Sequence, residues 1–290
     1  MRTMRAWGGV AGLALLGTFL AAGGAAWADQ PQISWVRGPS SVDLGGQASL
    51  GVGDRYVFAG ASDTRKLMEL MGNTSTNTEV GLVAPKAKDE DWIVVFEYHP
   101  VGFVKDDDKD KIDKNAILEG IREGTEEGNK VRKQKGIPAL HVTGWYEEPH
   151  YDARTHNLVW ALLAKNDNGS EVVNYNVRVL GRNGYMSVTL VDEPAKLAAS
   201  KPQVDAVLAS FNYKQGKSYA EFVPGDKVAE YGLVALVAGG AGAAAAKLGL
   251  FAWLFKALAK GGKAVVVLVV GAVAALKRMI SSLMGRGSEA

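Results

Sequence analysis

The sequence predicts an α+β domain, an antiparallel β-sheet with flanking helices, followed by a C-terminal transmembrane helical segment. Three observations lead there. Short runs of strand-like character are separated by Gly and Asn turns with no βαβ rhythm. Helical stretches stand before and after those runs. Residues 229–290 then differ from everything ahead of them, being mostly apolar and basic.

The N-terminus reads MRTMRAWGGVAGLALLGTFLAAGGAAWADQ. Arg2 and Arg5 precede an apolar core from Gly8 to Ala22, and Ala26-Trp27-Ala28 has the small-x-small form of a cleavage site. We read residues 1–28 as a signal peptide cut after Ala28, with an uncleaved anchor as the alternative. The chain has no cysteine. It is therefore neither a lipid-anchored precursor nor disulfide-bonded, and an ordinary core must hold it together.

Residues 29–228 form the exported domain. ISWVRG and GGQASLGVGDRYVF read as short strands joined by turns. SDTRKLMELMG reads as a helix capped by Ser62 or Asp63 and stopped by Gly72. DWIVVFEYH, Asp91 to His99, is a continuous apolar run of strand length, which suits a central strand. Asp113 can cap a long helix reaching to about Lys135, closed by Gly136 and Pro138. ALHVTGWYE, HNLVWALLA, EVVNYNVRVL and YMSVTLV give four further strands, with Asn166 to Gly169 and Asn183-Gly184 as hairpin turns. In the third, Val173, Tyr175, Val177 and Val179 share one face and Asn174, Asn176 and Arg178 the other. A last helix opens at Ser200 to Gln203, a capping box with Pro202 in the first turn, and buries Val204, Val207, Leu208 and Phe211.

Residues 229–290 read as a membrane anchor with a basic tail. Leu233 to Phe255 is 23 residues long and is broken only by Lys247. A bilayer core needs about 20 apolar residues in a helix. A second run, 264–276, is short and suits a second or re-entrant segment. Residues 29–228 carry 24 basic and 29 acidic residues, a balance of −5, whereas residues 229–290 carry seven basic and two acidic, a balance of +5. An acidic exported domain with a basic cytoplasmic end obeys the positive-inside rule. The expected location is the cytoplasmic (inner) membrane, with the main domain on the periplasmic side. The lipid bilayer, met through residues 233–276, is one expected partner. Self-association is another, because Gly240 with Ala244 and Gly242 with Ala246 have small-xxx-small spacing. Nucleic acid is not expected, since the basic excess belongs to the anchor.

Four features carry candidate chemistry. All four histidines lie between His99 and His156. Glu147, His150, Asp152 and His156 crowd what reads as a connection between strands, with Pro149 turning the chain; they are candidate metal ligands. The spacing fits no strong motif, and a solvated polar connection is the plainer reading. Gly120, Gly124 and Gly128 form a stripe on the long helix, each costing about 0.5–1 kcal/mol relative to alanine. Close packing of the helix on the sheet is the expected compensation, with approach of a ligand or partner as the alternative. Asp106, Asp108 and Asp110 have the spacing that opens a calcium loop. Lys111 stands where such a loop needs glycine, and Ile117 where it needs glutamate. That run is expected to be a solvated connection. Nucleophile elbows, phosphate loops and dinucleotide fingerprints are missing, and no cofactor is expected.

WIVVFEYHPVGFVKDDDKDKID, LEGIREGTEEGN, HVTGWYEEPHYD, VNYNVRVLGRNGYMSVTLV and YAEFVPGDKVAEYGLVALVAGGAGAAAAK closely resemble one family: membrane-anchored bacterial proteins built on a domain of unknown function, of the DUF2167 kind. The resemblance implies an exported domain and a C-terminal anchor, and it supplies no catalytic residues. The order of helices and sheet also resembles small antiparallel α+β domains of the PsbP and Mog1 type. The function expected is that of an envelope protein whose exported domain binds a ligand or protein partner. The alternative is a membrane-tethered, metal-assisted hydrolase using Glu147, His150, Asp152 and His156.

Overall fold

The structure is a computed structural model and describes residues 32–237, apart from positions 72, 74, 88 and 135. The expected signal peptide, the rest of the first apolar run from 238 and the second run at 264–276 lie outside the described residues. In chain order come β1 (Trp35–Arg37), β2 (Ser40–Leu44), β3 (Ala48–Val52), β4 (Tyr56–Gly60) and α1 (Ala61–Leu70). Then follow β5 (Glu79–Pro85), β6 (Ile93–His99), α2 (Lys114–Gln134), β7 (Leu140–Asp152), β8 (Asn157–Asn166), β9 (Glu171–Gly181) and β10 (Gly184–Asp192). The last elements are α3 (Leu197–Leu208), β11 (Asn212–Tyr213) and α4 (Leu233–Val237).

Eight strands form one antiparallel sheet in the order β1-β4-β5-β6-β10-β9-β8-β7, and β11-β3-β2 form a small second sheet. The four strands expected between residues 139 and 191 pair in sequence through the two hairpin turns read from Asn166 to Gly169 and at Asn183-Gly184. One face of the large sheet packs on the small sheet and α3, through Leu50, Phe96, Val177, Leu190 and Val204 among others. The opposite face receives α1, α2 and α4 through Met68, Ile117, Ile121, Leu233 and Leu236.

Asp113 caps α2 as expected, its Oδ1 accepting the N–H groups of Asn115 and Ala116 at 3.1 Å each. Gly136 closes the helix at φ +69°. Inside α2, buried Asn129 locks the helix to β7: its amide donates to the Leu140 carbonyl and accepts the Leu140 N–H.

Elsewhere tertiary contacts displaced the local signals. Gly60, not Ser62 or Asp63, precedes α1, and no side chain caps it. Asp63 instead accepts the Ser34 N–H and pairs with Lys66, tying the chain before β1 to the first turn. The capping box at Ser200 is absent. α3 begins at Leu197, and buried Ser200 donates its hydroxyl to Asp192 at 2.5 Å. β5 has no counterpart among the expected strands. Gly81 is required there, since a Cβ would stand 2.3 Å from the Phe58 ring.

Two departures bear on function. β7 does not end before Pro149 but runs on to Asp152, with Pro149 inside a register shift between Glu147 and His150. An edge strand tolerates proline because one row of its backbone groups is unpaired in any case. The first residues of the expected span, Leu233 to Val237, are packed into the domain core, where Leu233, Leu236 and Val237 are at most 1% exposed. Asp108 holds them there, accepting the N–H groups of Leu233 and Val234 at 2.9 and 3.2 Å. Among the described residues no helix is long and apolar enough to cross a membrane.

Candidate functional site

Strand registers decide which side chains meet on the face beneath α1, α2 and α4. Pairing Glu79 with Glu97, Glu97 with Ser187, Ser187 with Arg178, Arg178 with Leu158 and Leu158 with Tyr151 makes one row across six strands. The next row holds Val95, Thr189, Asn176 and Trp160, and the one beyond it Ile93, Val191, Asn174 and Leu162. On the other side of the Arg178 row, His99 pairs with Tyr185 and Tyr185 with Leu180. The middle of this face is thus polar, and it is buried: Arg178 is 7% exposed, Asn174 1%, Asn176 3% and Ser187 1%.

Partners for these groups are incomplete. The Arg178 guanidinium lies over the Trp160 ring, 4.7 Å from its centre. Its hydrogen bond among the described residues is a long one, 3.5 Å, to the Val177 carbonyl. Glu97, two strands away, is occupied by hydroxyls instead, accepting from Thr78 at 3.2 Å and Ser187 at 3.4 Å. Desolvation raises the Glu97 pKa despite the pull of Arg178, and it also works against the charge on Arg178. Asn176 is satisfied, donating to the Asn174 carbonyl and accepting from Thr189. Both amide atoms of the Asn174 side chain and the Trp160 Nε1 are buried without a partner. Unpaired buried polar atoms of this kind cost about 1–3 kcal/mol each. His99 stacks on Tyr185 at 4.7 Å, and burial with Arg178 nearby lowers its pKa to about 4.

At the β7 end the row meets a second group. Tyr151 donates its hydroxyl to Asp106 at 3.1 Å, and His156 Nδ1 is 3.0 Å from the same oxygen. With the Tyr151 O–H directed at the carboxylate, the hydroxyl oxygen is left to accept from His156 Nδ1–H. Burial and Asp106 hold the Tyr151 hydroxyl far above its ordinary pKa. The imidazole packs on Tyr219 at 4.3 Å, which stacks on Phe103, which in turn stacks on Phe222. His156 sits at φ +54°, a left-handed backbone uncommon outside glycine and frequent where function constrains a residue. The arrangement orients an imidazole beside an aromatic wall.

The expected metal ligands do not converge. Among the described residues no group of three or more His, Cys, Asp or Glu side chains could hold a metal ion. The long β7 strand is the cause, since it spreads Glu147, His150 and Asp152 along an edge rather than folding them into a loop. His150 turns to the Glu148 carbonyl and Glu147, 3.3 and 3.6 Å away. Asp152 is spent on the Arg154 N–H and the Thr155 hydroxyl, and His156 joins Tyr151. His141 stands apart on the surface between Glu126 and Asp167, whose hydrogen bonds raise its pKa.

The glycine stripe is corrected as well. Nothing lies within 4 Å of a Cβ placed on Gly120, Gly124 or Gly128, so sheet packing does not explain them. The acidic run is not simply solvated: Asp106 serves Tyr151 and Asp108 serves α4.

Sequence reasoning missed Arg178, Trp160, Asn174, Tyr151 and Asp106 as a set. One signal was available. Asn174, Asn176 and Arg178 share a face of a strand whose neighbours, HNLVWALLA and YMSVTLV, are apolar on both faces, and such strands are covered on both sides.

Compared with curated proteins, the chain finds no matching sequence. Among solved structures it is similar to cyanobacterial PsbP (CyanoP) from Synechocystis sp. PCC 6803, with a TM-score of 0.35 and 10% identity over 66% of this chain and 98% of that one. Nothing is transferred from a likeness of that degree. A family model described as "Protein of unknown function (DUF2167)" matches residues 36–274, which takes in the large sheet from Val36 onward, the polar row and the apolar sequence after α4. By that match the chain belongs to the DUF2167 family.

Proposed function

We propose that the protein is a membrane-tethered envelope protein whose exported domain binds a ligand or a protein partner. The observation that carries the binding reading is the buried polar row around Arg178, where the guanidinium makes one long hydrogen bond among the described residues and the Asn174 amide and the Trp160 indole N–H are buried without partners. A fold gains nothing in stability from such groups, so a role in recognition is the natural reason to keep them. The tether is supported by the apolar run from Leu233 to Phe255 and by the change of charge balance at residue 229. With Leu233 to Val237 built into the core, 18 residues from 238 to 255 remain for the bilayer, close to the minimum. That short connection would hold the domain against the membrane surface. Small residues at Gly240, Ala244, Gly242 and Ala246 would let two anchors pack together.

Fractionation tests this reading. The full-length protein should stay in the membrane pellet after washes with high salt and with alkaline carbonate, and its mature N-terminus should begin at Asp29. Release into the supernatant by either wash would sink the tether.

A further inference from the structure

We propose that Arg178 is the receptor for an anionic oxygen group, a carboxylate or phosphate, carried by the ligand of the polar row. This inference rests on the binding reading above and names the ligand's chemical class. Its basis is geometric. A guanidinium has five N–H donors in a flat fork, stays charged in proteins and matches two oxygens of one anion. At Arg178 that fork is buried, fixed against the face of Trp160 at 4.7 Å, and hydrogen-bonded among the described residues only to its neighbour's carbonyl at 3.5 Å.

The nearest acid in the row, half-buried Glu97, does not serve as its counter-ion. Glu97 is separated from Arg178 by Ser187 in the register, and its two oxygens are taken by Thr78 and Ser187. A carboxyl whose proton is favoured by desolvation is also a weak competitor for an incoming anion. The other groups of the strip suit the rest of an acidic ligand. Ser187 is a hydroxyl at the centre of the row, and Trp160 Nε1 is an unpartnered donor in the next. Asn174 lies four residues along β9, about 13 Å away, with an amide that can donate and accept.

Ala229, Tyr231 and Val234 pack on the same core as α4, so part of the cover over this face is the segment that leads into the apolar run.

The test uses the full-length protein in neutral detergent micelles, with thermal unfolding as the readout. Inorganic phosphate and acetate are titrated in one arm. In the second arm phosphatidylglycerol is titrated into the micelles, so that a free anion and a lipid headgroup are told apart. We expect a saturable rise in Tm in at least one arm, about 5–10 °C at a hundredfold excess over Kd. Arg178→Lys keeps the charge but loses the fork, and should weaken the response at least tenfold. Arg178→Gln should abolish it while leaving the far-UV circular dichroism unchanged. Should either variant fail to fold, fluorescence supplies a second readout: the wild-type protein should show saturable quenching by the active anion and Trp160→Phe should lose it, whereas quenching that persists unchanged in Trp160→Phe overturns the site.

No saturable response of the wild-type protein in either arm overturns the proposal. An unchanged Kd in Arg178→Gln overturns it equally. Either failure in a protein that still resists the alkaline wash removes the anion site and leaves the tether standing, whereas loss of membrane retention removes the tether alone.

Discussion

The two faces of the eight-stranded sheet solve the same problem in opposite ways. The face beneath α3 and the small sheet is apolar across β6, β10 and β9, with Phe96, Val188, Leu190 and Val177 in contact and fully covered. The face beneath α1, α2 and α4 is apolar only at its margins. Its middle holds Ser187, Arg178, Asn176 and Asn174 under equal cover, with half-buried Glu97 beside them. The same three strands supply both faces, so the difference comes from alternate residues of one sequence and not from position in the fold. The first face accounts for stability. The second has a composition that stability alone would have removed.

Substitutions can break or sharpen that contrast. Leu190→Ala on the apolar face should cost about 2–5 kcal/mol through lost transfer energy and a cavity, read from urea unfolding. A loss below 1 kcal/mol would mean that face is not the tightly packed one. On the polar face, His99 should make stability fall in acid. His99 keeps a folded pKa of about 4 against 6.5 unfolded, so between those values the unfolded chain binds a proton that the folded chain refuses. Stability is then lost as pH falls from 6.5 towards 4, by about 1–3 kcal/mol once partial exposure is allowed for. His99→Gln should flatten the curve in that window, and an unaltered slope would show that the ring is solvated.

Smaller effects follow. Asn174→Leu replaces an unpartnered amide by an apolar group of similar size and should leave stability unchanged or raise it by about 1–2 kcal/mol. A loss above 1 kcal/mol would mean the amide has partners after all. Gly124→Ala meets open space and should stabilise α2 by about 0.5–1 kcal/mol. A destabilised Gly124→Ala would show that something lies against the stripe.

Much of the fold was legible beforehand, because local chemistry and tertiary contacts agreed there. Asp113 capping α2, the hairpin turns of β8, β9 and β10, and the facing pattern of EVVNYNVRVL are set by neighbours within a few residues. The misplacements came where a distant partner outbid the local one. Ser200 prefers the buried Asp192 to the end of its own helix, and β7 gains pairing with β8 by carrying Pro149 through a bulge. The site was less legible for the same reason. Residues 147–156 looked like a cluster because they are close in sequence, whereas Tyr151, Arg178 and Glu97 are aligned only by strand register, and Asp106 reaches Tyr151 from a distant loop. The exposed glycine stripe remains unexplained by any contact in the fold.

The stability of Arg178→Met relative to wild type, measured by urea unfolding in the absence of added anions, addresses the nature of the polar face most directly. A buried guanidinium without an adequate partner is a liability in the unliganded protein, so the variant should be as stable as wild type or more stable, by up to about 4 kcal/mol. A loss of about 3–5 kcal/mol, the usual result of breaking a compensated buried pair, would show that Arg178 is already paired within the fold and is not held for a ligand.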